Sequence, residues 1–294
     1  MVQLRQRDAH LANGMRLNVV EAGPKDARLV LFVHGFPEFW YAWHELLVEF
    51  GRDHHACAFD LRGFNLSDMP VEVERYRPRH LVDDLRLLVA DLGHESCVLV
   101  AHDWGGAVAW NLAAALPDLV ERLVIINSPH PATFQRELSQ NPRQIEASAY
   151  MNYLRKPEAE AALLANDCER MLRFLAGVGH GMAWFDEPTR LRYKECWQRG
   201  LTGGLNLYRA SPLHPATADE PGASAVRFAA EAVTVRVPTL VIWGERDQAL
   251  LPELLDGLEE YVPDLRIRRI ADATHWVVHE YPMEVSRMIR EFIA

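Results

Sequence analysis

The sequence predicts an α/β fold in which a mostly parallel central sheet is flanked by helices and carries an inserted helical segment. Short apolar runs alternate with helix-like segments through the first part of the chain, and this alternation resumes near the end. Such alternation is typical of parallel sheets with helices on both faces. Between about Pro129 and Pro215 no buried strand is indicated, and the residues favour helices rich in Tyr, Trp, Arg and Met.

The first elements are a predicted hairpin and a series of buried strands. Asn13-Gly14 lies between two strand-like segments, residues 3–10 and 15–21, and favours a hairpin turn. Residues 28–33 form a continuous apolar run, which is typical of a strand buried on both faces. Further strands are predicted at 55–59, 97–101 and 123–126, and helices at 80–92 and 105–116.

The later elements complete the sheet. Strands are predicted at 239–243 and 265–270, followed by a closing helix from near Pro282 that has apolar residues on one face. We therefore expect an α/β core formed by residues 1–129 and 216–294. A helical cap, residues 130–215, is inserted after the sixth strand, and residues 216–236 return to the core with partly helical structure.

Composition and charge exclude several classes of protein. The chain has 294 residues, of which 49% are hydrophobic and 24% charged, so it can bury the core of a globular protein. Its formal net charge is −10, and it contains no basic cluster. This balance argues against binding to nucleic acid or to an anionic membrane surface.

The cysteines and the N-terminal sequence indicate the compartment. The four cysteines are scattered, without a Cys-x-x-Cys pair or a histidine at zinc-site spacing, so no metal site is predicted. Cys57 and Cys97 lie in apolar, strand-like runs and are expected to be buried thiols. No apolar signal segment and no run of membrane-spanning length is present. We expect a cytoplasmic protein.

The most informative sequence lies where the strand at 97–101 ends. Asp103 is flanked by small residues two positions before and after it, Ala101 and Gly105, and a helix-like segment follows. This is the layout of a nucleophile elbow, the sharp turn that usually carries Ser. A carboxylate needs no base to deprotonate it, and it displaces a leaving group from an sp³ carbon to form an ester. Asp103 therefore favours an epoxide or alkyl halide as substrate, although it could alternatively be a simple helix-capping residue.

A second loop offers hydrogen-bond donors to this nucleophile. The segment His34-Gly35-Phe36-Pro37 follows the buried strand at 28–33. The backbone N–H groups of Phe36 and Trp104 are the candidates for an oxyanion hole. Taken alone, the segment could also be an ordinary turn.

Two further strand ends supply an acid and a base. Asp247 follows the strand at 239–243 and can hold a histidine through its Nδ1–H. Glu245 is a rival, but Asp247 lies further beyond the strand, where ligand-facing loops gather. His275 follows the strand at 265–270, with His279 one turn later. Nucleophile, acid and histidine thus occur in the order of the α/β-hydrolase fold.

On these residues the chain resembles an epoxide hydrolase of the α/β-hydrolase superfamily over essentially its whole length. The matching strings are residues 34–41, 60–63, 102–106, 243–247 and 274–276. The resemblance implies two cap tyrosines that hold and protonate the epoxide oxygen, and the family pattern falls on Tyr150 and Tyr208. Tyr153, one helical turn from Tyr150, is an alternative for the first of them, while Tyr193 is expected to pack beneath the cap. Substrate contacts are expected from His34, Pro37, Trp104 and Tyr153.

The resemblance also implies a two-step hydrolysis. Asp103 opens the epoxide to form an ester, and His275, oriented by Asp247, activates the water that cleaves it. The expected partners are a small-molecule epoxide and water, with no cofactor and no metal, in a monomer or homodimer.

Two other functions stay open at this point. A haloalkane dehalogenase uses the same Asp nucleophile, and Trp104 could donate its indole N–H to a halide. Fluoroacetate dehalogenases carry Arg immediately after the nucleophile and again three residues later, where this chain has Trp104 and Ala107. A catalytically silent ligand-binding protein of the same fold is the third possibility.

Overall fold

The computed structural model describes residues 2–178 and 182–294, so Met1 of the predicted core and residues 179–181 of the predicted cap lie outside the described residues. The described residues contain one eight-stranded sheet with the strand order β1-β2-β4-β3-β5-β6-β7-β8. The strands are β1 (Arg5–His10), β2 (Arg16–Ala22), β3 (Leu29–Val33), β4 (His55–Phe59), β5 (Cys97–His102), β6 (Val120–Ile126), β7 (Thr239–Gly244) and β8 (Leu265–Ile270).

The sheet is mostly parallel, as the sequence predicts. Strands β1, β2 and β4 pair antiparallel to one another in turn, and every later pairing from β4 through β3 to β8 is parallel. The predicted hairpin is present, with Gly14 in the connecting loop at a φ of 85°. A positive φ of this kind favours glycine because it lacks a Cβ atom.

Helices cover both faces of the sheet and fill the insertion between β6 and β7. They are α1 (His44–Phe50), α2 (Pro78–Asp91), α3 (Trp104–Ala115), α4 (Pro131–Gln140), α5 (Pro142–Ala147), α6 (Ala149–Leu154), α7 (Ala159–Gly177), α8 (Glu187–Gln198), α9 (Thr202–Ala210), α10 (Ala230–Val233), α11 (Val277–Glu280) and α12 (Pro282–Ile293). Helix α7 has non-helical backbone angles at residues 165–168. Sequence analysis identifies α2, α3 and α12 but not α1, whose seven residues are too few to show a helical period.

The core lies on both faces of the central strands. Along β3, Val30 and Phe32 pack with α1 and α12 on one face, whereas Leu31 and Val33 pack with α2 and α3 on the other. All four side chains are fully buried. The continuous apolar run at this strand therefore follows from burial on both faces, as predicted.

Helices α4–α9 are anchored to the core around the loop after β3. The indole N–H of Trp197 in α8 donates to the Pro37 carbonyl over 2.7 Å. The hydroxyl of Tyr193, also in α8, donates to Glu38 over 2.7 Å and is buried, in agreement with its expected packing role. These contacts place the inserted helices above the carboxyl ends of the parallel strands.

The structure shows the state of the cysteines and whether any helix could span a membrane. All four cysteines carry free thiols and are buried, including Cys57 and Cys97 as predicted. Among the residues that the structure describes, no helix combines the length and apolar character needed to cross a membrane.

Gly105, at the start of α3, lies close against the backbone at the end of β3. A Cβ atom at this position would lie 2.3 Å from the Val33 carbonyl oxygen and 2.5 Å from that of His34. Because both atoms belong to the backbone, they cannot move aside as a flexible side chain would. We expect Gly105→Ala to lower the free energy of unfolding by about 1–3 kcal/mol, measured by urea denaturation with tryptophan fluorescence.

The matched control is Gly177→Ala at the end of α7, where a Cβ atom would meet no atom within 4 Å. Alanine loses less backbone entropy on folding, so this variant should be neutral or more stable by up to about 1 kcal/mol. Equal effects of the two substitutions would contradict the steric argument.

Candidate active site

Asp103 lies at the turn between β5 and α3 with a strained backbone. Its φ of 50° and ψ of −124° fall outside the regions that non-glycine residues usually occupy, at a cost of about 1–3 kcal/mol. Three hydrogen bonds hold the turn: the Asp103 N–H donates to Ile126, and the Asp103 carbonyl accepts from the Ala107 N–H and the Ser128 hydroxyl. The strain presents the carboxylate above the sheet, as in a nucleophile elbow.

The loop after β3 contacts this carboxylate directly. The Phe36 N–H donates to Asp103 Oδ1 over 2.7 Å. The approach requires glycine at position 35, since a Cβ atom there would lie 2.2 Å from the same oxygen. Trp104 is the first residue of α3, so its N–H belongs to the helix N-terminal groups that have no partner within the helix. The structure thus brings the two predicted oxyanion-hole residues to Asp103.

The three side chains of the predicted triad come together at the carboxyl ends of β5, β7 and β8. His275 Nδ1 lies 2.7 Å from Asp247 Oδ2, and His275 Nε2 lies 3.6 Å from Asp103 Oδ2. A carboxylate at Nδ1 fixes that nitrogen as the donor and turns Nε2 towards Asp103.

Asp247, rather than its rival Glu245, holds the histidine. Asp247 Oδ1 accepts from the N–H groups of Ala249 and Leu250, over 2.8 and 2.9 Å. Glu245 lies instead 3.3 Å from the Arg269 guanidinium on the protein surface. The backbone amides fix the Asp247 carboxylate in the orientation that faces His275.

Asn127, which sequence analysis does not identify, supports the acid. Its side-chain N–H donates to Asp247 Oδ2 over 2.8 Å, and its side-chain oxygen accepts from the Gly244 N–H over 2.8 Å. Asn127 directly follows β6 and is buried. Its position at a parallel strand end, the same as that of Asp103, is the signal that could have identified it.

A second buried cluster lies behind the triad, around Glu38. Glu38 Oε1 accepts from the Tyr193 hydroxyl and lies 2.6 Å from His279 Nε2, while Oε2 lies 3.3 Å from His102 Nδ1. His102 Nε2 in turn lies 2.9 Å from the His275 carbonyl oxygen. Burial would raise the pKa of Glu38, but His279 and His102 hold it well below its usual range. Glu38 is therefore a buried negative charge near the predicted base.

His275 is strongly basic in this environment. Burial by itself lowers its pKa, but the charge and hydrogen bond of Asp247 outweigh burial, and the charges of Asp103 and Glu38 add to them. The resulting pKa is about 9. The imidazole is therefore protonated at neutral pH, and removing the Asp103 charge must lower the pKa of His275.

Tyr150 of α6 and Tyr208 of α9 line the same cavity as Asp103. The Tyr208 ring packs edge-on against Trp104 at 4.9 Å and against Phe36 at 5.4 Å, and its hydroxyl interacts with Trp104 and with Tyr150. Burial, together with the negative charge of Asp103, raises the pKa of both phenols above the ordinary value. Both therefore remain protonated and can donate hydrogen bonds into the cavity.

Three of the four predicted substrate contacts are placed elsewhere, and only Trp104 lines the cavity. The Tyr153 hydroxyl accepts from Arg170 on the outer side of the inserted helices. His34 is fully buried and accepts from the Leu61 N–H through Nε2, so it supports the oxyanion loop instead. The Pro37 carbonyl is bonded to Trp197, at the contact that anchors α8. None of these three residues is among those that line the cavity.

Comparison with known proteins agrees with this geometry. A family model described as alpha/beta hydrolase fold matches residues 28–282. The chain is 34% identical to Epoxide hydrolase 3 of Xenopus tropicalis, over 99% of this chain and 77% of that protein. It is 36% identical to the AB hydrolase superfamily protein YfhM of Bacillus subtilis (strain 168), over 96% of this chain and 95% of that protein.

A solved structure of Bacillus megaterium epoxide hydrolase in complex with an inhibitor superposes with a TM-score of 0.89 at 35% identity, covering 98% of this chain and 99% of that one. The chain belongs to the α/β-hydrolase family. Within that family it groups with the epoxide hydrolases, which confirms the resemblance found in the sequence.

The pKa of His275 provides a test of the site's electrostatics. We expect Asp103→Asn to lower this pKa below the value of about 9 in the unmodified protein, because the amide carries no charge. Between the two pKa values the imidazole is protonated in the unmodified protein and neutral in the variant. Histidine NMR titration measures both values.

The control for this titration is Glu284→Gln, which removes an exposed carboxylate on α12 that is paired only with Arg287 at 3.9 Å. That change should leave the titration of His275 unaltered. Identical His275 pKa values in the unmodified protein and in Asp103→Asn would show that Asp103 does not act on the imidazole.

Proposed function

We propose that this protein hydrolyses an epoxide to a vicinal diol through a covalent ester of Asp103. The observation that carries the proposal is the position of two protonated phenols, Tyr150 and Tyr208, in the same cavity as a carboxylate nucleophile. An epoxide needs a nucleophile at carbon and a donor at oxygen, and this arrangement supplies both.

In the first step Asp103 attacks a ring carbon. Asp103 Oδ1 is held by the Phe36 N–H, whereas Oδ2 accepts no backbone hydrogen bond from the described residues, faces His275 and is the attacking atom. As the carbon–oxygen bond of the ring breaks, negative charge develops on the epoxide oxygen. Tyr150 and Tyr208 stabilise that charge by donating hydrogen bonds, and one of them supplies the proton.

In the second step water cleaves the ester. Alkylation removes the charge of Asp103, and this lowers the pKa of His275 from about 9 so that it can act as a base. The water proton passes to His275 Nε2 as the oxygen attacks the Asp103 carboxyl carbon. The Phe36 and Trp104 N–H groups stabilise the tetrahedral oxyanion, which collapses to expel the diol oxygen, and this oxygen takes the proton back. The proton that His275 gives up before it acts as a base returns the tyrosinate of the first step to a phenol. The carboxylic acid left on Asp103 then passes its proton to His275, which restores the starting state.

We assign residues 130–215 the role of a cap that contributes the two tyrosines to a core built from residues 1–129 and 216–294. The partners in the proposed reaction are a small-molecule epoxide and water. The cytoplasmic location and the monomeric or homodimeric state stay predictions from the sequence.

The geometry favours this function over the alternative haloalkane dehalogenase. Tyr150 and Tyr208 supply two donors suited to an epoxide oxygen, and the Trp104 indole, the candidate halide donor, interacts with Tyr208 in the same cavity. Among the described residues that line the cavity there is no Arg to hold a fluoroacetate carboxylate. Asp103, Asp247 and His275 are arranged for turnover, which argues against a silent binding protein.

Trapping the intermediate tests the proposed mechanism. In His275→Gln the base of the second step is missing while Asp103 remains, so an epoxide should form the ester and then stall. Intact-protein mass spectrometry should show a mass increase equal to one epoxide, which peptide mapping places on Asp103. The unmodified protein should release diol from the same epoxide, and far less halide from 1-haloalkanes.

The matched control is His275→Gln combined with Asp103→Asn, which removes the nucleophile and should abolish the adduct. If reactive epoxides give no adduct on His275→Gln but the unmodified protein still forms diol, water attacks the epoxide directly and the covalent step is wrong. Rapid halide release without diol would instead identify a dehalogenase.

The cap tyrosines can be tested by removing their hydroxyls. Loss of one donor to developing charge typically costs about 10²–10³ in rate. Because two phenols share the epoxide oxygen, Tyr150→Phe and Tyr208→Phe should each slow ester formation by that factor or less. The double variant should nearly abolish it, as measured by single-turnover kinetics with a chromogenic epoxide.

Tyr153→Phe is the control, because its hydroxyl bonds Arg170 away from the cavity and its loss should leave the rate unchanged. A silent Tyr150→Phe with a damaging Tyr153→Phe would move the first cap tyrosine by one helical turn. If none of the three single variants and the double variant changes the rate of ester formation, the tyrosines no longer support the proposed epoxide reaction.

A further inference from the structure

The cavity extends well beyond the groups that carry out the proposed reaction. One wall follows α3 from Trp104 at its N-terminus through Ala107 and Val108 to Asn111. The seven helical steps from Trp104 to Asn111 span about 10 Å at a rise of 1.5 Å per residue. The cavity, with a volume of about 180 Å³, therefore continues along this helix away from Asp103.

The polar side chains along this extension are already paired within the protein. The Tyr76 hydroxyl donates to Pro70, the Asn111 amide donates to Ala107, and the Ser128 hydroxyl donates to Asp103. The Ser211 hydroxyl oxygen accepts from the Leu213 N–H. Among the described residues lining the cavity, Asp103 alone is charged. The extension therefore offers a substrate mainly apolar contact.

The apolar side chains of the extension come from four separate parts of the chain: Leu81 of α2, Val108 of α3, Phe134 of α4, and Leu213 and Phe228 of the segment between α9 and α10. Burial of apolar surface is the interaction that such a wall can supply. A substrate that fills the extension must carry a hydrocarbon group.

Phe228 differs from these residues because its surface is 38% exposed to solvent. Other large apolar side chains on the surface, such as Leu191 and Met283, do not line the cavity. A side chain that is both part of the wall and open to solvent lies at the mouth. Phe228 also precedes α10, which packs on α3, the helix that forms the long wall.

We propose that the cavity selects epoxides that carry a hydrocarbon substituent of up to about 10 Å, and that Phe228 covers the outer end of that substituent. This inference rests on the proposed function. Each methylene buried along the wall should raise kcat/KM by roughly fourfold, the transfer free energy of a methylene group expressed as a ratio. The gain should stop once the chain passes Phe228 into solvent.

The experiment compares kcat/KM for terminal 1,2-epoxyalkanes from four to twelve carbons. In the unmodified protein kcat/KM should rise with chain length and then level off. Phe228→Ala should lower kcat/KM for the longest substrates by about fivefold to tenfold, mainly through KM, and leave 1,2-epoxybutane unchanged. Phe228→Leu, which keeps an apolar cover, should restore most of the loss.

Leu191→Ala is the matched control, because it truncates an exposed apolar residue on α8 that does not line the cavity. Its kcat/KM should equal that of the unmodified protein for every epoxide. Thermal unfolding should show that all three variants are folded. A kcat/KM independent of chain length, or an equal loss on every substrate in Phe228→Ala, would overturn the inference while leaving the proposed function intact. Absence of turnover for all the epoxides would overturn both.

Discussion

The contact between the Phe36 N–H and the Asp103 carboxylate is the constraint on which the site depends. It joins the end of β3 to the end of β5 over 2.7 Å, and it is possible only because Gly35 has no side chain. Asp103 in turn holds a strained backbone that the ends of β6 and α3 support. Backbone strain of this kind persists only where the surrounding structure holds it in place. A mostly parallel sheet does this because several strand ends meet at one edge and contact the strained residue.

Buried charge is the second organising feature, and it links the inserted helices to the reaction. Asp103, Asp247 and Glu38 surround His275 with negative charge, which keeps the imidazole protonated until one carboxylate is neutralised. In the proposed reaction, formation of the Asp103 ester in the first step therefore allows His275 to lose its proton and act as the base in the second. Glu38 also accepts a hydrogen bond from Tyr193 of α8, so the position of the inserted helices and the electrostatics of the site depend on the same buried carboxylate.

The sequence by itself determined the sheet, helices α2, α3 and α12 and the helical character of the insertion, and it predicted the three triad residues that the structure brings together. Apolar runs and helical periods are local patterns, because a strand buried on both faces must be apolar throughout. The order of Asp103, Asp247 and His275, at the ends of β5, β7 and β8, could also be predicted from the sequence, since parallel strands bring their carboxyl ends to one edge. The small residues around Asp103 followed from the sharpness of the turn.

Only the tertiary structure decided which side chains face the cavity. Tyr150 and Tyr153 lie one turn apart on α6, and the packing of that helix sends the first into the cavity and the second to Arg170. His34 was expected to contact substrate, but its Nε2 accepts a hydrogen bond from the Leu61 N–H, which joins the loops after β3 and β4. Asn127 showed no pattern of its own, because its role depends on Asp247, 120 residues later. Partnerships between distant residues arise from packing, which local patterns do not encode.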